Sequence, residues 1–394
     1  MERPFGFPFL SILQDVYAKS ELLDESHGLD NPVQGFDARG APIFKYPEGK
    51  LDVVLEYGNR VQIMHRDRIK TVATAALHTP HTISLQKVAF VILQRLRKQP
   101  HVRWDSDGST FYDVKLTNRL PIQSHHNRME LWLDARHCGH RVVLKTTKNP
   151  AYMLRYILEA VIQTLVFRQC PKDVPEPFMV GLTADQRLVV CSEQITIPAV
   201  TQMIRHAPSY ADLLQMSQHF CEMILRIQSA GCTHRDAHTS NVYVDPKTLQ
   251  TRLIDFDWAA IRWCEFTLSI PRHLYDSTRE IYGRNRSVDC CIFFRSLQTQ
   301  MVGMTHPDIV RFKTNILTPI MQRYEDECRS TLSNASDTVS QQLYRIASST
   351  ETIRGEYAHA NGLKRMFTDF DYEMGYYEWK SMRPEVILKY LKTC

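Results

Sequence analysis

Two copies of the tripeptide His-Arg-Asp are candidates for chemistry. The first, in VQIMHRDRIK, comprises residues 65–67, and the second, in AGCTHRDAHTSNVYVD, comprises residues 234–236. Chance alone can produce a tripeptide in a chain of this length, so the surroundings must distinguish the two. The second triplet is followed by further polar residues. Asn241 lies five positions after Asp236, and Asp255 lies 19 positions after Asp236. Carboxylate and carboxamide groups of this kind can move a proton or bind a hard cation.

Two charged residues upstream belong with these candidates. Lys145 ends the apolar run VVLK, and Glu159 lies on the helix predicted next. Each residue also has an ordinary interpretation, because a lysine at a strand end is usually a solvated charge and a helical glutamate usually has only a surface partner. Asn241 could equally be a turn residue, and Asp255 a helix cap.

The second triplet follows a strongly predicted helix. SYADLLQMSQHFCEMILRIQSAG has one apolar face, a capping pair at Ser209 and Asp212, and Gly231 at its left-handed end. NVYV and TRLI then alternate about the turn at 245–247, which predicts a short hairpin, and DFDWA follows the second strand. The triplet therefore lies in a loop between a helix and a hairpin, where catalytic groups are commonly found.

Lys145 and Glu159 lie in a region with a regular order of elements. Strands are predicted over 129–135 and 141–146, and a helix begins with Asn149 as its cap and Pro150 in its first position. A second strand pair, PFMVGLT and RLVVCSE, follows. The order strand, strand, helix, strand, strand predicts a compact α+β lobe.

The N-terminal part of the chain predicts a region of its own. KLDVVLEYGNRVQIM predicts a hairpin, and SLQKVAFVILQRLRKQP predicts a helix between Ser84 and Pro100. The first triplet precedes that helix with no carboxamide or carboxylate close after it, so we interpret it as a solvated strand end. We expect two folded units: an α+β accessory region over 1–105 and a second domain over 106–394.

Composition limits the class of protein. The 394 residues are 43% hydrophobic and carry a net charge of +5 without a long run of one sign, which argues against a dedicated nucleic-acid or membrane-surface protein. No uninterrupted apolar stretch is long enough to span a bilayer, and the N-terminal apolar run, interrupted by prolines, does not predict a signal peptide. We expect a soluble protein.

Cysteine usage indicates an intracellular protein. Ten cysteines without framework spacing are typical of reduced thiols, so we expect the cytoplasm or nucleus. The stretch ARHCGHR contains His137, Cys138 and His140, but no second cluster completes four ligands. We therefore predict a hairpin tip there rather than a zinc site.

At these motifs the chain resembles the protein-kinase superfamily. HRDAHTSN is similar to the family's catalytic loop, IDFDWA to its magnesium motif, and VVLK to the strand that carries its lysine. The resemblance runs from about Pro121 to the end of the chain, and the short IDFDWA form looks most like divergent kinase-like proteins of fungi and small-molecule phosphotransferases. It implies a bilobal fold with a small β-rich lobe over about 120–193 and a larger, mainly helical lobe over about 194–394.

The resemblance implies ATP and Mg²⁺ as cofactors. Lys145 would hold the α- and β-phosphates of ATP, with Glu159 fixing its ammonium group. Asn241 and Asp255 would be ligands of Mg²⁺, which prefers oxygen donors. Phosphoryl transfer leaves little covalent work for a protein, so positioning and charge neutralisation would carry the catalysis.

The resemblance also implies roles within the catalytic loop. Asp236 would accept or orient the proton of the attacking hydroxyl. Arg235, beside it, could pair with a phosphate added to the segment from Trp258 to Tyr282. His238 stands where serine/threonine kinases have a lysine and where aminoglycoside- and choline-type phosphotransferases often have histidine.

Other positions depart from the protein-kinase pattern. PIQSHHNRMELW contains no glycine where a glycine-rich loop should cover the nucleotide, and SIPRHLYD lacks the glutamate of the Ala-Pro-Glu motif. Asp257 replaces the glycine of Asp-Phe-Gly, so we expect that the inactive flip of that motif is not available. Asp289 would brace the catalytic loop or, equally, would be an ordinary charge at a helix start. The second Asp-Phe-Asp, at 369–371, is interpreted as a packing segment.

Three functions follow from these expectations. The first is an ATP- and Mg²⁺-dependent phosphotransferase that acts on serine and threonine hydroxyls of proteins. The second is a small-molecule kinase, which His238 and DFDWA favour and Arg235 disfavours. The third is a catalytically silent scaffold, which is considered because a fold does not fix a function. The missing glycines favour it.

Overall fold

The computed structural model describes thirteen segments of the chain, namely residues 53–57, 60–65, 68–73, 92–93, 95–98, 110–111, 114–115, 122–123, 129–137, 140–263, 266–269, 286–333 and 379–394. These residues form a mixture of α-helices and β-strands, in agreement with the expected α+β class. They divide into two units, of which the first contains described residues from 92–196 and 255–269 and the second contains the others. The predicted domain limits at 105 and about 193 stay predictions.

The first unit is built on a seven-stranded antiparallel sheet. Its strand order is β4-β5-β7-β8-β10-β9, with β6 pairing on β7. The elements, in chain order, are β4 (Thr110–Phe111), β5 (Val114–Lys115), β6 (Ile122–Gln123), β7 (Glu130–His137), β8 (His140–Thr147), helix α1 (Pro150–Gln169), β9 (Pro177–Leu182) and β10 (Leu188–Glu193). The predicted order of two strands, a helix and two strands is confirmed.

Alternation along β8 determines where Lys145 points. Leu144 is fully buried in an apolar cluster with Trp132 and Val189. Because successive side chains of a strand point to opposite faces, Lys145 lies on the other face of the sheet. Helix α1 begins as predicted, since the Asn149 carbonyl accepts the first helical bond, from Met153 N–H, at 2.9 Å.

The hairpin tip between β7 and β8 is confirmed. His137 and His140 are register partners at the ends of the two strands. Cys138 and Gly139 lie outside the described residues. Two antiparallel strands, β14 (Ala260–Trp263) and β15 (Phe266–Ser269), complete the first unit, and a 3₁₀ turn at Phe256–Trp258 precedes them and contacts α1.

The second unit is mainly helical. Its elements are the antiparallel strands β1 (Val53–Tyr57), β2 (Arg60–His65) and β3 (Arg68–Ala73), helices α2 (Val200–Arg205) and α3 (Tyr210–Ser229), strands β11 (Cys232–Thr233), β12 (Val242–Val244) and β13 (Thr251–Leu253), and helices α4 (Val288–Gln300), α5 (Pro307–Phe312), α6 (Thr318–Ser333) and α7 (Pro384–Leu391). Among the described residues, no helix is long and apolar enough to cross a membrane.

Helix α3 forms as its sequence predicts. The Ser209 hydroxyl accepts the Asp212 N–H, and the Asp212 carboxylate accepts the Ser209 N–H, both at 3.1 Å. Gly231 follows the helix with φ of 80°, a conformation that is costly for residues with a Cβ. Phe220 of α3 stacks on Phe293 of α4 with ring centres 3.6 Å apart, in the core of the second unit.

The first triplet spans a hairpin link. His65 ends β2 and Arg68 begins β3, and the two are register partners. The predicted hairpin of β1 and β2 is also confirmed. Arg66 and Asp67 lie outside the described residues, as do residues 121 and 124–128 of PIQSHHNRMELW, residues 270–285 and the second Asp-Phe-Asp. The helix predicted from Ser84 falls within the described residues only at 92–93 and 95–98, which are helical or in a turn.

Candidate functional site

Five charged side chains of the first unit form what we call the charge cluster: Lys145, Arg155, Glu159, Asp255 and Asp257. The Lys145 Nζ atom lies 2.7 Å from Glu159 Oε1 and 2.6 Å from Asp255 Oδ1. The Arg155 guanidinium donates to Asp257 Oδ2. The sequence predicted Lys145, Glu159 and Asp255 as members of one site, and the structure brings these three together.

Three elements position the cluster. Strand β8 carries Lys145, and helix α1 carries Arg155 and Glu159, which share a helix face because they are four residues apart. Asp255 has φ of 68° and Asp257 lies in the 3₁₀ turn that follows it. Phe256, between the two, is fully buried, and its burial stabilises the turn.

The cluster contains more acidic than basic side chains. Burial lowers the pKa of Lys145, but the carboxylates of Asp255 and Glu159 outweigh burial, so that its pKa lies well above the usual value and the ammonium stays charged. Burial and the neighbouring Asp255 raise the pKa of Asp257 well above its ordinary range, although Arg155 opposes them. With all three carboxyl groups ionised, the cluster carries one more negative than positive charge, and an added cation would relieve this excess.

Two carboxylate oxygens of the cluster are buried without a hydrogen-bond partner among the described residues. They are Glu159 Oε2 and Asp257 Oδ1. A buried carboxylate oxygen costs free energy unless a donor or a metal satisfies it. Oxygen donors and an excess of negative charge are what Mg²⁺ prefers, so the first-unit donors fit that ion.

The second triplet begins a loop of the second unit, residues 234–241, which we call the His234 loop. The Asn241 Nδ2 atom donates to the Asp236 carbonyl at 3.0 Å and to Asp236 Oδ2 at 3.2 Å. With Nδ2 used as a donor to Asp236, the Oδ1 oxygen of Asn241 is the atom that could bind a cation. The Asn241 carbonyl accepts the N–H of Ile254, the residue that immediately precedes Asp255 in the chain.

Asp289 of helix α4 holds the start of this loop. Its carboxylate accepts the backbone N–H groups of His234 and Arg235 at 3.1 and 2.7 Å. Burial raises the pKa of Asp289 to about 6, although these two N–H groups and the charge of Arg235 lower it. Asp289 therefore holds the start of the loop, as the first sequence interpretation expects. It also lies in the first turn of a helix, as the second interpretation expects.

His234 connects the loop to the end of β13. Its Nδ1 atom accepts the Asp236 N–H at 3.2 Å, which leaves the proton on Nε2, and Nε2 donates to the Ile254 carbonyl at 2.9 Å. The ring is completely buried. A neutral imidazole with one donor and one acceptor nitrogen satisfies both neighbours.

The remaining predicted residues differ in exposure. The His238 side chain is 37% exposed, and its Nε2 lies 3.7 Å from Asp236 Oδ2. Arg235 is 2% exposed and has φ of 63°, so its side chain is buried. Sequence reasoning anticipated an arginine available to an added phosphate, and that role stays a prediction.

Sequence reasoning missed Arg155. Its signal was its position four residues before Glu159, on the same face of a helix that faces Asp257. The comparisons with known proteins add no further residue. No family model matches the chain, and no curated protein is significantly similar to it.

Proposed function

We propose that the chain is an ATP- and Mg²⁺-dependent phosphotransferase of protein-kinase-like fold that acts on hydroxyl groups of intracellular proteins. One observation carries the proposal: Lys145 is ion-paired at once with Glu159 and with Asp255, at 2.7 and 2.6 Å. Of the three residues chosen from the sequence for nucleotide chemistry, Lys145 thus makes direct contact with each of the other two. The arrangement supports a lysine held ready for phosphate oxygens.

The distance between these residues along the chain strengthens the argument. Asp255 is 110 residues from Lys145, so no local pattern requires the two to pair. One carboxylate is enough to neutralise the ammonium group of a partly buried lysine, whereas Lys145 has two. A second carboxylate is useful if a metal ion binds one of them, or if phosphate displaces one of them from the ammonium group, during function.

The second unit supplies the groups that a phosphoryl acceptor needs. Asp236 is a carboxylate with a side chain that is 13% exposed, and Asn241 holds it through Nδ2. In the proposed reaction Asp236 orients the acceptor hydroxyl and takes its proton. Bound Mg²⁺ would neutralise phosphate charge, and Asp255 and the Asn241 carboxamide oxygen are the ligands proposed for it.

A small-molecule acceptor is the second candidate, and His238 favours it. This histidine is exposed and lies near Asp236, where it can reach a soluble alcohol or sugar as well as a protein. Arg235 disfavours this candidate through the sequence resemblance alone, and the burial of its side chain does not test that expectation.

Transfer of label from γ-labelled ATP tests the proposal. The acceptors are generic proteins, the chain itself, and a panel of amino alcohols and sugars, each with the wild-type chain and with Asp236→Asn. We expect label on proteins that depends on Mg²⁺ and falls by orders of magnitude in Asp236→Asn, while the affinity for ATP changes little. Label on small molecules alone would establish the second candidate. Label on no acceptor would contradict both and favour a silent scaffold.

A further inference from the structure

The segment that carries Asp255 is attached to helix α1 at two points. The first is the pairing of Asp255 and Glu159 with Lys145. The second is the ion pair of Arg155 with Asp257, whose side chains are 8% and 12% exposed. The Arg155 guanidinium also lies over the ring of Trp258, 4.2 Å from its centre. Such contact of a guanidinium with an aromatic face adds a cation–π attraction to the ion pair.

These contacts make a closed ring. Helix α1 joins Arg155 to Glu159, Glu159 binds Lys145, Lys145 binds Asp255, and the chain itself leads from Asp255 back to Asp257 and Arg155. No link of the ring can move far without breaking another. Loss of the Arg155–Asp257 pair opens the ring on the side away from Lys145.

Asp255 needs such support. It is not a glycine, yet its φ of 68° places it in the left-handed region. That conformation costs free energy and persists only where neighbouring contacts hold it. The Asp255 side chain is 34% exposed, so burial holds it less firmly than it holds Glu159, whose side chain is 4% exposed.

We propose that Arg155 and Asp257 are positioning residues that hold the segment 255–258 on helix α1 and thereby keep Asp255 beside Lys145 before any nucleotide binds. The inference deepens the proposed function and rests on it, because it assigns to this pair the assembly of the nucleotide-binding charges. Asp257 stands where a glycine is usual in the motif that the sequence resembles. The ion pair with Arg155 therefore fixes a position at which a glycine would leave the backbone mobile.

Fluorine NMR of the full chain labelled with 5-fluorotryptophan tests the positioning without nucleotide. The chain has five tryptophans, and Trp258→Phe identifies the Trp258 signal. In Arg155→Met and in Asp257→Ala we expect this signal to move and broaden. Asp257→Asn keeps an acceptor oxygen for Arg155, so its signal should stay closer to that of the wild type. Arg187→Gln, which removes the Arg187–Glu130 pair of the same unit, is the matched control and should leave the signal unchanged.

Calorimetric titration with Mg·ATP tests the functional part. If loss of the pair reduces the assembled fraction to about one tenth, the apparent Kd rises about tenfold. Because the two residues act through one contact, the double variant Arg155→Met/Asp257→Ala should bind no more weakly than either single variant. Melting curves establish that each variant is folded.

The outcomes separate the inference from the function on which it rests. An unchanged Trp258 signal in both single variants, or additive losses of affinity in the double variant, would overturn the positioning role. A wild-type chain that does not bind Mg·ATP would overturn the proposed function, and with it the assembly role of the pair, even where the Trp258 signal responds.

Discussion

Among single residues, substitution of Asp255 distinguishes an effect on metal binding from an effect on folding stability. Its side chain is one third exposed and shares Lys145 with Glu159, so Asp255→Asn should lower the melting temperature of the free chain only slightly. The same change removes a charged ligand proposed for Mg²⁺. We expect the stabilisation by Mg·ATP to disappear in Asp255→Asn, as measured by thermal shift with and without Mg²⁺.

The control for that experiment is Asp185→Asn. Asp185 is a similarly paired carboxylate of the same unit, bound to Lys148 with both side chains more than half exposed. It should keep the full Mg·ATP shift. An Asp255→Asn chain that keeps the shift as well would remove Asp255 from the site.

Asp289 makes stability depend on pH. Its pKa is raised to about 6 in the folded chain, chiefly by burial, from an ordinary value of 3.8. Between these values the folded state holds a proton that the unfolded state has lost, so folding gains stability as the pH falls through this range and loses it as the pH rises through 6. The gain at pH 4 relative to pH 7.5 is on the order of 2 to 3 kcal/mol.

Urea unfolding of the wild type and of Asp289→Asn at pH 4 and pH 7.5 measures this effect. The asparagine does not titrate, so the wild type should gain stability relative to the variant at the lower pH. Equal pH dependence in the two chains would mean that Asp289 is not the titrating group.

Prediction from sequence succeeded where the interaction is local or where the backbone conformation requires a particular residue type. Ser209 and Asp212 cap their helix as expected, and Gly231 takes the left-handed conformation. The Arg155–Asp257 pair was missed because its partners are 102 residues apart, and an arginine on an apolar helix gives no sign of its partner. The burial of Arg235 was missed because burial depends on tertiary packing around the loop.

Among the elements, helix α3 carries the loop that follows it, and its cap should affect stability alone. Ser209→Ala removes the side-chain half of the capping box and should cost about 1 kcal/mol of unfolding free energy. Ser229→Ala is the control, because this exposed hydroxyl donates only to the Leu225 carbonyl of its own helix. Urea unfolding should show a loss for Ser209→Ala larger than that for Ser229→Ala. Equal losses would assign the effect to helix propensity rather than to the cap.

In the whole molecule, the first unit is discontinuous in sequence. Its described residues lie within 92–196 and 255–269, and the residues between these ranges in the chain belong to the second unit. A fragment that ends at Thr196 keeps Lys145 and Arg155 but lacks both aspartates, and breaking the buried Arg155–Asp257 pair in this way costs about 3 to 5 kcal/mol. A chimera that joins 80–196 to 255–272 through a flexible linker should therefore melt at a higher temperature than the 80–196 fragment. Equal melting temperatures would mean that the charge cluster does not stabilise the unit.

The same discontinuity imposes an order on folding during protein synthesis. Lys145 leaves the ribosome 110 residues before Asp255, an interval of roughly 5 to 20 s at ordinary rates of translation. Throughout that interval Lys145 has Glu159 as a carboxylate partner but lacks Asp255, while helix α3 and the His234 loop are being made. We expect stalled nascent chains that expose residues up to 254 to be digested by protease within 80–196, and chains that expose residues up to 272 to resist.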